Sequence, residues 1–460
     1  MKRFQFYPLS LLILVCLVAC SNTTSPQPPP DNSTPVLEVT KESNSAAHST
    51  PSATEEEAAT AQPAAKKPAK KALIGFTSSK TGQYNIESER QNNGLALWIT
   101  EINKAGGIKL ADGSKVTFES KFYDDESSKD RVQELYTRLA TEDKADFLIS
   151  PYSSGLTEAA AVVAEQNKKL MITTGAADDA TYKKGFTLVY QTYTPASRYL
   201  TGALDIIAKA DPKAKKIAFA YENDKFSMSV AEAAKKYAET EGYEIVLYEG
   251  YDKGTVDFAP LINKIQQAKA EIILGGGHFQ DGSTLTKQLR EKKVAAKFIG
   301  LLVAPPEPSF AELGDAAFGV VGPSQWEPTT AFNAKEAKTL GLSWYGPTAK
   351  DFVKAYKAAY KDEEPSYHAA GGYVSGLILQ AAIEQAGTLD TQKVKAALDK
   401  TDLLSFYGHV KFDTSAEKHG LQTGHEMVYI QWQRDSSAKL SKQTVWPEAG
   451  KSAEIIYPLP

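Results

Sequence analysis

Two short stretches, Ser150-Pro151-Tyr152-Ser153-Ser154-Gly155 and Thr173-Thr174-Gly175-Ala176-Ala177, crowd hydroxyls and small side chains into a few positions. Such residues leave backbone N–H groups accessible and add O–H donors, so side by side they could disperse the charge of a carboxylate. Neither stretch contains a lysine or arginine, so an anion held there would be bound by neutral donors. Ordinary strand-to-helix turns use the same residue types, and the surrounding chain has to decide between the two readings.

Other chemistries find little support. The six histidines are scattered, His48 among them, without metal-ligand spacing such as H-E-x-x-H, and no metal site is expected. Gly275-Gly276-Gly277 lacks the Lys-Ser/Thr ending of a phosphate loop and the spacing of a dinucleotide loop. Ser153-Ser154-Gly155 is not a G-x-S-x-G nucleophile elbow. The sequence therefore points to binding without catalysis and without a cofactor. A net charge of −4 argues against nucleic acid as a partner.

The elements around the two stretches repeat in a fixed order. Phe147-Leu148-Ile149 and Leu170-Met171-Ile172 are short apolar strands, and a helix signalled by Thr157 and Glu158 lies between them. The two loops should then lie together at the carboxyl ends of neighbouring parallel strands, where open α/β sheets bind ligands. Upstream, Leu73 to Phe76 is a strand, Gly94 to Asn103 a helix, Val116 to Phe122 a strand and Asp130 to Thr141 a helix. Downstream, strands at Ile217 to Ala220, Glu244 to Tyr248 and Glu271 to Leu274 alternate with helices at Ser229 to Glu239 and Phe258 to Ala268. The alternation predicts an α/β protein with two doubly wound parallel-sheet lobes, and 460 residues are enough for two cores.

At the N-terminus, Lys2 and Arg3 precede the apolar run Leu9 to Val18, which is too short to span a bilayer and has the layout of a secretory signal over 1–19. Leu17-Val18-Ala19-Cys20 resembles a bacterial lipobox, whose cysteine becomes the lipid-bearing first residue of the mature protein. On that reading Cys16 is removed, Cys20 carries the anchor, and the folded region has no thiol. Residues 20–71 are rich in Ser, Thr, Pro, Ala and charge, and are expected to form a disordered tether. About 50 flexible residues have a span of roughly 40 Å. The protein would face the periplasm or the cell exterior from a lipid anchor.

A family resemblance runs through the rest of the chain. Thr81-Gly82, Asn93-Gly94, Glu101 to Ile108 and Tyr123-Asp124-Asp125 resemble the signature run of type I periplasmic binding proteins of the branched-chain amino acid class. Leu148 to Gly155 and Leu170 to Ala177 are similar to that family's ligand loops, and the likeness continues through Phe298-Ile299-Gly300 and Phe406-Tyr407-Gly408 to Phe412-Asp413.

The resemblance implies two lobes joined by three crossovers, near Thr192 to Thr194, Gly322 to Trp326 and His425 to Val428. Lobe 1 would comprise 72–193 and 325–425, and lobe 2 would comprise 194–324 and 426–460. It also implies a small-molecule solute and, as partners, the permease and ATPase of an ABC importer, with the chain itself a monomer. A sensing lipoprotein of the same fold is the alternative.

Residue by residue, the resemblance places Ser154, beside Ser153, where a hydroxyl binds the ligand carboxylate. Gly175, with Ala176, falls where main chain holds the ligand, and Phe226 where an aromatic of the opposite lobe closes over it. Ala177 replaces a hydroxyl residue of the branched-chain binders, His278 replaces a tyrosine, and Leu302 stands where they place the glutamate that pairs with the ligand ammonium. Glu87, Asp178 or Asp179 could supply the missing acid. Gln325 and Trp326 could face the cleft, although a tryptophan beside a hinge serves packing equally well.

Overall fold

The computed structural model describes residues 69–330 and 332–459. The expected signal segment, Cys20 and nearly all of the tether lie outside them. The strands of the first sheet are β1 (Lys70–Ser78), β2 (Ile108–Lys109), β3 (Lys115–Asp124), β4 (Phe147–Ile149), β5 (Leu170–Thr173) and β6 (Val189–Gln191). Those of the second are β7 (Lys216–Glu222), β8 (Glu244–Tyr251), β9 (Ile272–Gly276), β10 (Phe298–Leu301) and β11 (Val321–Ser324), and it is completed by two late strands. Between β11 and the two late strands in sequence come β12 (Ser343–Trp344), β13 (Asp402–Leu404) and β14 (His409–Lys411), which form a small sheet of their own. The chain then returns to the second sheet as β15 (Val428–Arg434) and β16 (Leu440–Trp446).

The first sheet has the order β2-β3-β1-β4-β5-β6 and the second the order β16-β15-β11-β10-β9-β7-β8. Pairing is parallel except at β2, β15 and β16, so both sheets are doubly wound as the alternation of elements requires. Each has one place where the chain reverses its direction of travel across the sheet. In the first that is between β1 and β4, in the second between β7 and β9. Loops leaving the carboxyl ends of strands at such points open a crevice, which is the general place for ligands in this architecture.

The helices are α1 (Asn85–Lys104), α2 (Lys129–Thr141), α3 (Ser154–Gln166), α4 (Thr201–Ala210), α5 (Lys225–Thr240), α6 (Ala259–Gln267), α7 (Phe279–Glu291), α8 (Ala334–Thr339), α9 (Ala349–Ala359), α10 (Tyr367–Ala386) and α11 (Thr391–Leu398). Two differ in a telling way from the sequence expectation. Helix α1 starts at Asn85 and not at Gly94, and its added turns bury Glu87, Ser88 and Gln91. Buried polar residues give no apolar period to read. Helix α3 starts at Ser154, ahead of the Thr157 signal, because Ser153 already has the extended backbone of an N-cap.

Helix α10 is buried on nearly every face and packs along α1. Its Gly372 lies against the Gln91 backbone so closely that a Cβ would stand 1.9 Å from the Gln91 carbonyl oxygen. The chain leaves the first sheet after β6, returns toward it after β11, and re-enters the second sheet at β15. Gly322 to Ser324, expected within a crossover, belong to β11 itself.

Candidate functional site

The loops after β4 and β5 are tied together by their own serines. Ser150 Oγ accepts the Thr174 N–H at 3.1 Å and lies 2.9 Å from the Thr174 carbonyl, to which it donates. Ser154 Oγ accepts the N–H groups of Ala177 at 3.1 Å and Asp178 at 3.2 Å. Gly175 has φ +69°, and a Cβ there would meet Gln91 Oε1 at 2.4 Å and Tyr152 Cδ2 at 2.6 Å, so only glycine fits.

These loops form one wall of a tight cavity of about 10 Å³. Tyr152, Ser153, Gly175 and Ala177 line it from the first sheet. Phe226, at the start of α5, His278, just before α7, and Val303, after β10, line it from the second. Tyr193 and Tyr199 enter from the crossover after β6 and Tyr367 from the start of α10, so four phenols surround one small space. Tyr199 Oη accepts from Gln325 Nε2 at 2.7 Å. Tyr193 Oη is buried beside the Thr174 side chain and the Gly175 backbone. Phe226 stands edge-on to Tyr199, ring centres 5.1 Å apart.

The opposite wall is closed by His278. Its Nδ1 is 2.7 Å from Tyr152 Oη, and its Nε2 is hydrogen-bonded to Asp224 Oδ2. Asp224 is also the N-cap of α5, accepting the Ser227 N–H at 2.6 Å. Glu222 Oε2 lies 3.6 Å from His278 Nε2, and Asp281 accepts the His278 N–H at 2.7 Å. Glu87, from α1, accepts the Phe279 N–H at the start of α7 at 2.8 Å.

The electrostatics follow from this crowding. Burial alone would lower His278, but Asp224, Glu222 and Glu87 outweigh it and lift the imidazole to about 10. Burial pushes the Glu222 carboxyl up to about 7, with His278 opposing and Asp281 and Asp224 adding to the rise. Burial also raises Glu87 and Asp281. Asp224 is the exception: burial would raise it, and the imidazolium beside it holds it low.

Of the residues expected from sequence, Ser153, Gly175, Ala177, Phe226 and His278 line the cavity. Ser154, Ala176 and Leu302 are not among its lining residues. Ser154 spends its acceptor capacity on the neighbouring loop, and the Ala176 carbonyl accepts from Gln191 Nε2 at 3.2 Å. The Leu302 N–H extends the ladder to the Gly275 carbonyl at 2.8 Å, and the next residue, Val303, takes the place at the cavity.

Asp178 caps the 3₁₀ turn that follows and pairs with Lys225 at 3.2 Å, while Asp179 accepts from Ser197. Trp326 is buried against Phe352 and Phe406 and serves packing. The sequence reading missed Tyr152, Tyr193, Tyr199, Tyr367 and Val303. It also missed the grouping of Glu222, Asp224 and Asp281 around His278, whose only local signal is the Glu-x-Asp spacing at the end of β7.

The family profile described as periplasmic binding protein matches residues 72–438. The leucine-, isoleucine-, valine-, threonine-, and alanine-binding protein of Pseudomonas aeruginosa is 26% identical over 368 residues, covering 80% of this chain and 90% of that protein. The branched-chain amino acid transporter substrate binding protein LivJ from Streptococcus pneumoniae, solved with isoleucine, has a TM-score of 0.66 at 22% identity, covering 82% of this chain and 100% of that one. A solute binding protein of an ABC transporter from R. palustris, solved with 4-hydroxybenzoate, has a TM-score of 0.66 at 19% identity, covering 85% of this chain and 98% of that one. The fold is shared with both solved proteins.

Proposed function

Since the chain belongs to the periplasmic binding protein family, a family of non-enzymatic solute-binding proteins, we propose that it captures a small carboxylate-bearing solute between its two sheets and delivers it to the permease and ATPase of an ABC importer. The carrying observation is the tyrosine-lined cavity between the two switch points, walled by the loops after β4 and β5 on one side and by Phe226, His278 and Val303 on the other. The cavity, about 10 Å³ as it stands, is far below the roughly 300–1,000 Å³ of sites for drug-sized molecules. Admitting a solute therefore requires the two walls to part.

The carboxylate goes toward Ser153 and the N-terminus of α3, where helix N–H groups favour negative charge. The apolar part lies against Phe226, Val303 and the tyrosine rings. Lobe 1 is taken as 72–193 with 325–425 and lobe 2 as 194–324 with 426–460, the pieces that must separate for a solute to enter. No helix among the described residues is long and apolar enough to cross a membrane. Anchoring is assigned to lipid on Cys20, outside the cytoplasm, with the protein acting as a monomer.

A thermal-shift screen across amino acids, aromatic acids, dicarboxylates and amides tests the reading. A solute present at about a hundred times its Kd adds about 2.7 kcal/mol of stability. If carboxylates leave the midpoint unchanged while another class raises it, the assigned solute class is wrong.

A further inference from the structure

Behind the wall of the solute cavity that His278 forms, the second sheet's switch point gathers three metal-ligating groups whose joint arrangement the solute reading does not use. We propose that Glu222, Asp224 and His278 form a binding site for a divalent metal ion of the zinc type. One carboxylate oxygen from each acid and a ring nitrogen of the histidine lie within 4.8 Å of one another. Ligands that each stand about 2.0–2.2 Å from a single ion come to such mutual distances after a small inward adjustment. The three are brought together by the fold: Glu222 ends β7, Asp224 caps α5, and His278 follows β9, the parallel neighbour of β7.

A separate observation points to a ligand. The Glu222 side chain is 1% exposed, and its Oε2, 3.6 Å from His278 Nε2, has no hydrogen-bond partner among the described residues. A carboxylate oxygen in that condition carries a desolvation penalty that a bound cation removes. The surrounding charge agrees. Glu87 and Asp281 add carboxylates, and Lys253, which acts on Glu222 and Asp224, has its Nζ 4.3 Å from the centre of the Tyr84 ring.

Outer partners already orient the ligands. Tyr152 Oη holds His278 Nδ1 at 2.7 Å, and the Ser227 N–H holds Asp224 at 2.6 Å. Two carboxylates and one imidazole supply three protein ligands of types zinc accepts, the number with which it keeps a fourth position for water. A cavity of about 170 Å³, whose lining includes Gln83, Glu222, His278, Gln280, Asp281 and Thr284, lies against the site. On binding, the ion replaces the proton on His278 Nε2, which leaves to solvent.

The test uses the full chain, stripped with chelator and titrated with ZnCl₂ by calorimetry. The expected result is one ion per chain, with affinity lowered about tenfold or more in Glu222→Gln, a loss that even outer partners of metal ligands cause. X-ray absorption of zinc on the parent protein should show a single imidazole among oxygen ligands. This second readout stands even if the variant does not fold. Failure to retain zinc, equal affinity in parent and Glu222→Gln, or a spectrum with several imidazoles or none would overturn the site. Solute titrations run in parallel report on the solute cavity separately.

Discussion

Tyr152 Oη and His278 Nδ1 stand 2.7 Å apart, one in the loop after β4 and the other just before α7, so a hydrogen bond links loops of the two sheets. With the imidazole lifted to about 10, His278 is charged at neutral pH and Nδ1–H donates to the phenol oxygen. Both residues also line the solute cavity. The contact that joins the two walls is therefore also part of the cavity's lining.

Tyr152→Phe removes that bond and keeps the ring. A hydrogen bond to a charged group contributes about 1.5–3 kcal/mol, so solute affinity should fall about tenfold or more, while the unliganded thermal midpoint changes little. Calorimetry with the best solute from the screen measures it. Affinity within about twofold of the parent would show that the bond contributes nothing to closure.

The two serines at the start of α3 should behave differently. Ser154→Ala leaves the N–H groups of Ala177 and Asp178 without their acceptor, which costs about 1–3 kcal/mol of stability. Ser153→Ala, at the cavity wall, should weaken solute binding with little loss of stability. Denaturant unfolding and titration of both variants separate the roles. A stable Ser154→Ala with lost binding would restore Ser154 as the carboxylate contact.

The alternation of apolar strands and amphipathic helices made both sheets legible, because each strand is a short buried run and each surface helix shows one apolar stripe. Helix α10 escaped this reading because His368 to Leu379 is buried all round and carries no stripe. The first turns of α1 were lost for the opposite reason, since Glu87, Ser88 and Gln91 are polar yet buried. At the site, Gly175 and Phe226 could be placed from local pattern and family resemblance. Tyr193, Tyr199 and Tyr367 could not, since they come from a crossover and from a helix far along the chain and meet only in three dimensions. Leu302, expected at the solute, gives its N–H to the Gly275 carbonyl, and its neighbour Val303 lines the cavity.

The acid cluster gives stability a sign with pH. Glu222 is raised by burial from its ordinary 4.5 to about 7, so between those values the folded state holds more protons than the unfolded one and stability falls as pH rises. For His278, burial is outweighed by Asp224, Glu222 and Glu87. Its contribution is complete below 6.5 and is lost as pH rises from there to about 10. The raised Glu87 and Asp281 act in the same direction as Glu222. Scanning calorimetry should show a falling midpoint across this range, and Glu222→Gln should flatten the part below about 7. A midpoint that climbs through neutral pH would contradict the arrangement of charges.

Cys20→Ser tests the anchor. It should move the protein from the membrane to the soluble fraction while solute binding is retained. A variant that stays in the membrane fraction after its precursor segment is removed would rule out lipid on Cys20.

A crystal structure with the strongest solute from the thermal-shift screen tests the central claim most directly. The solute should lie between the loops after β4 and β5 on one side and Phe226 and His278 on the other. Its carboxylate should be within hydrogen-bond distance of Ser153 or the first N–H groups of α3, and Tyr193 Oη should be engaged. Density for the solute outside this cavity, for example in the groove beside Asn92 and Phe122 on the first sheet, would contradict the account.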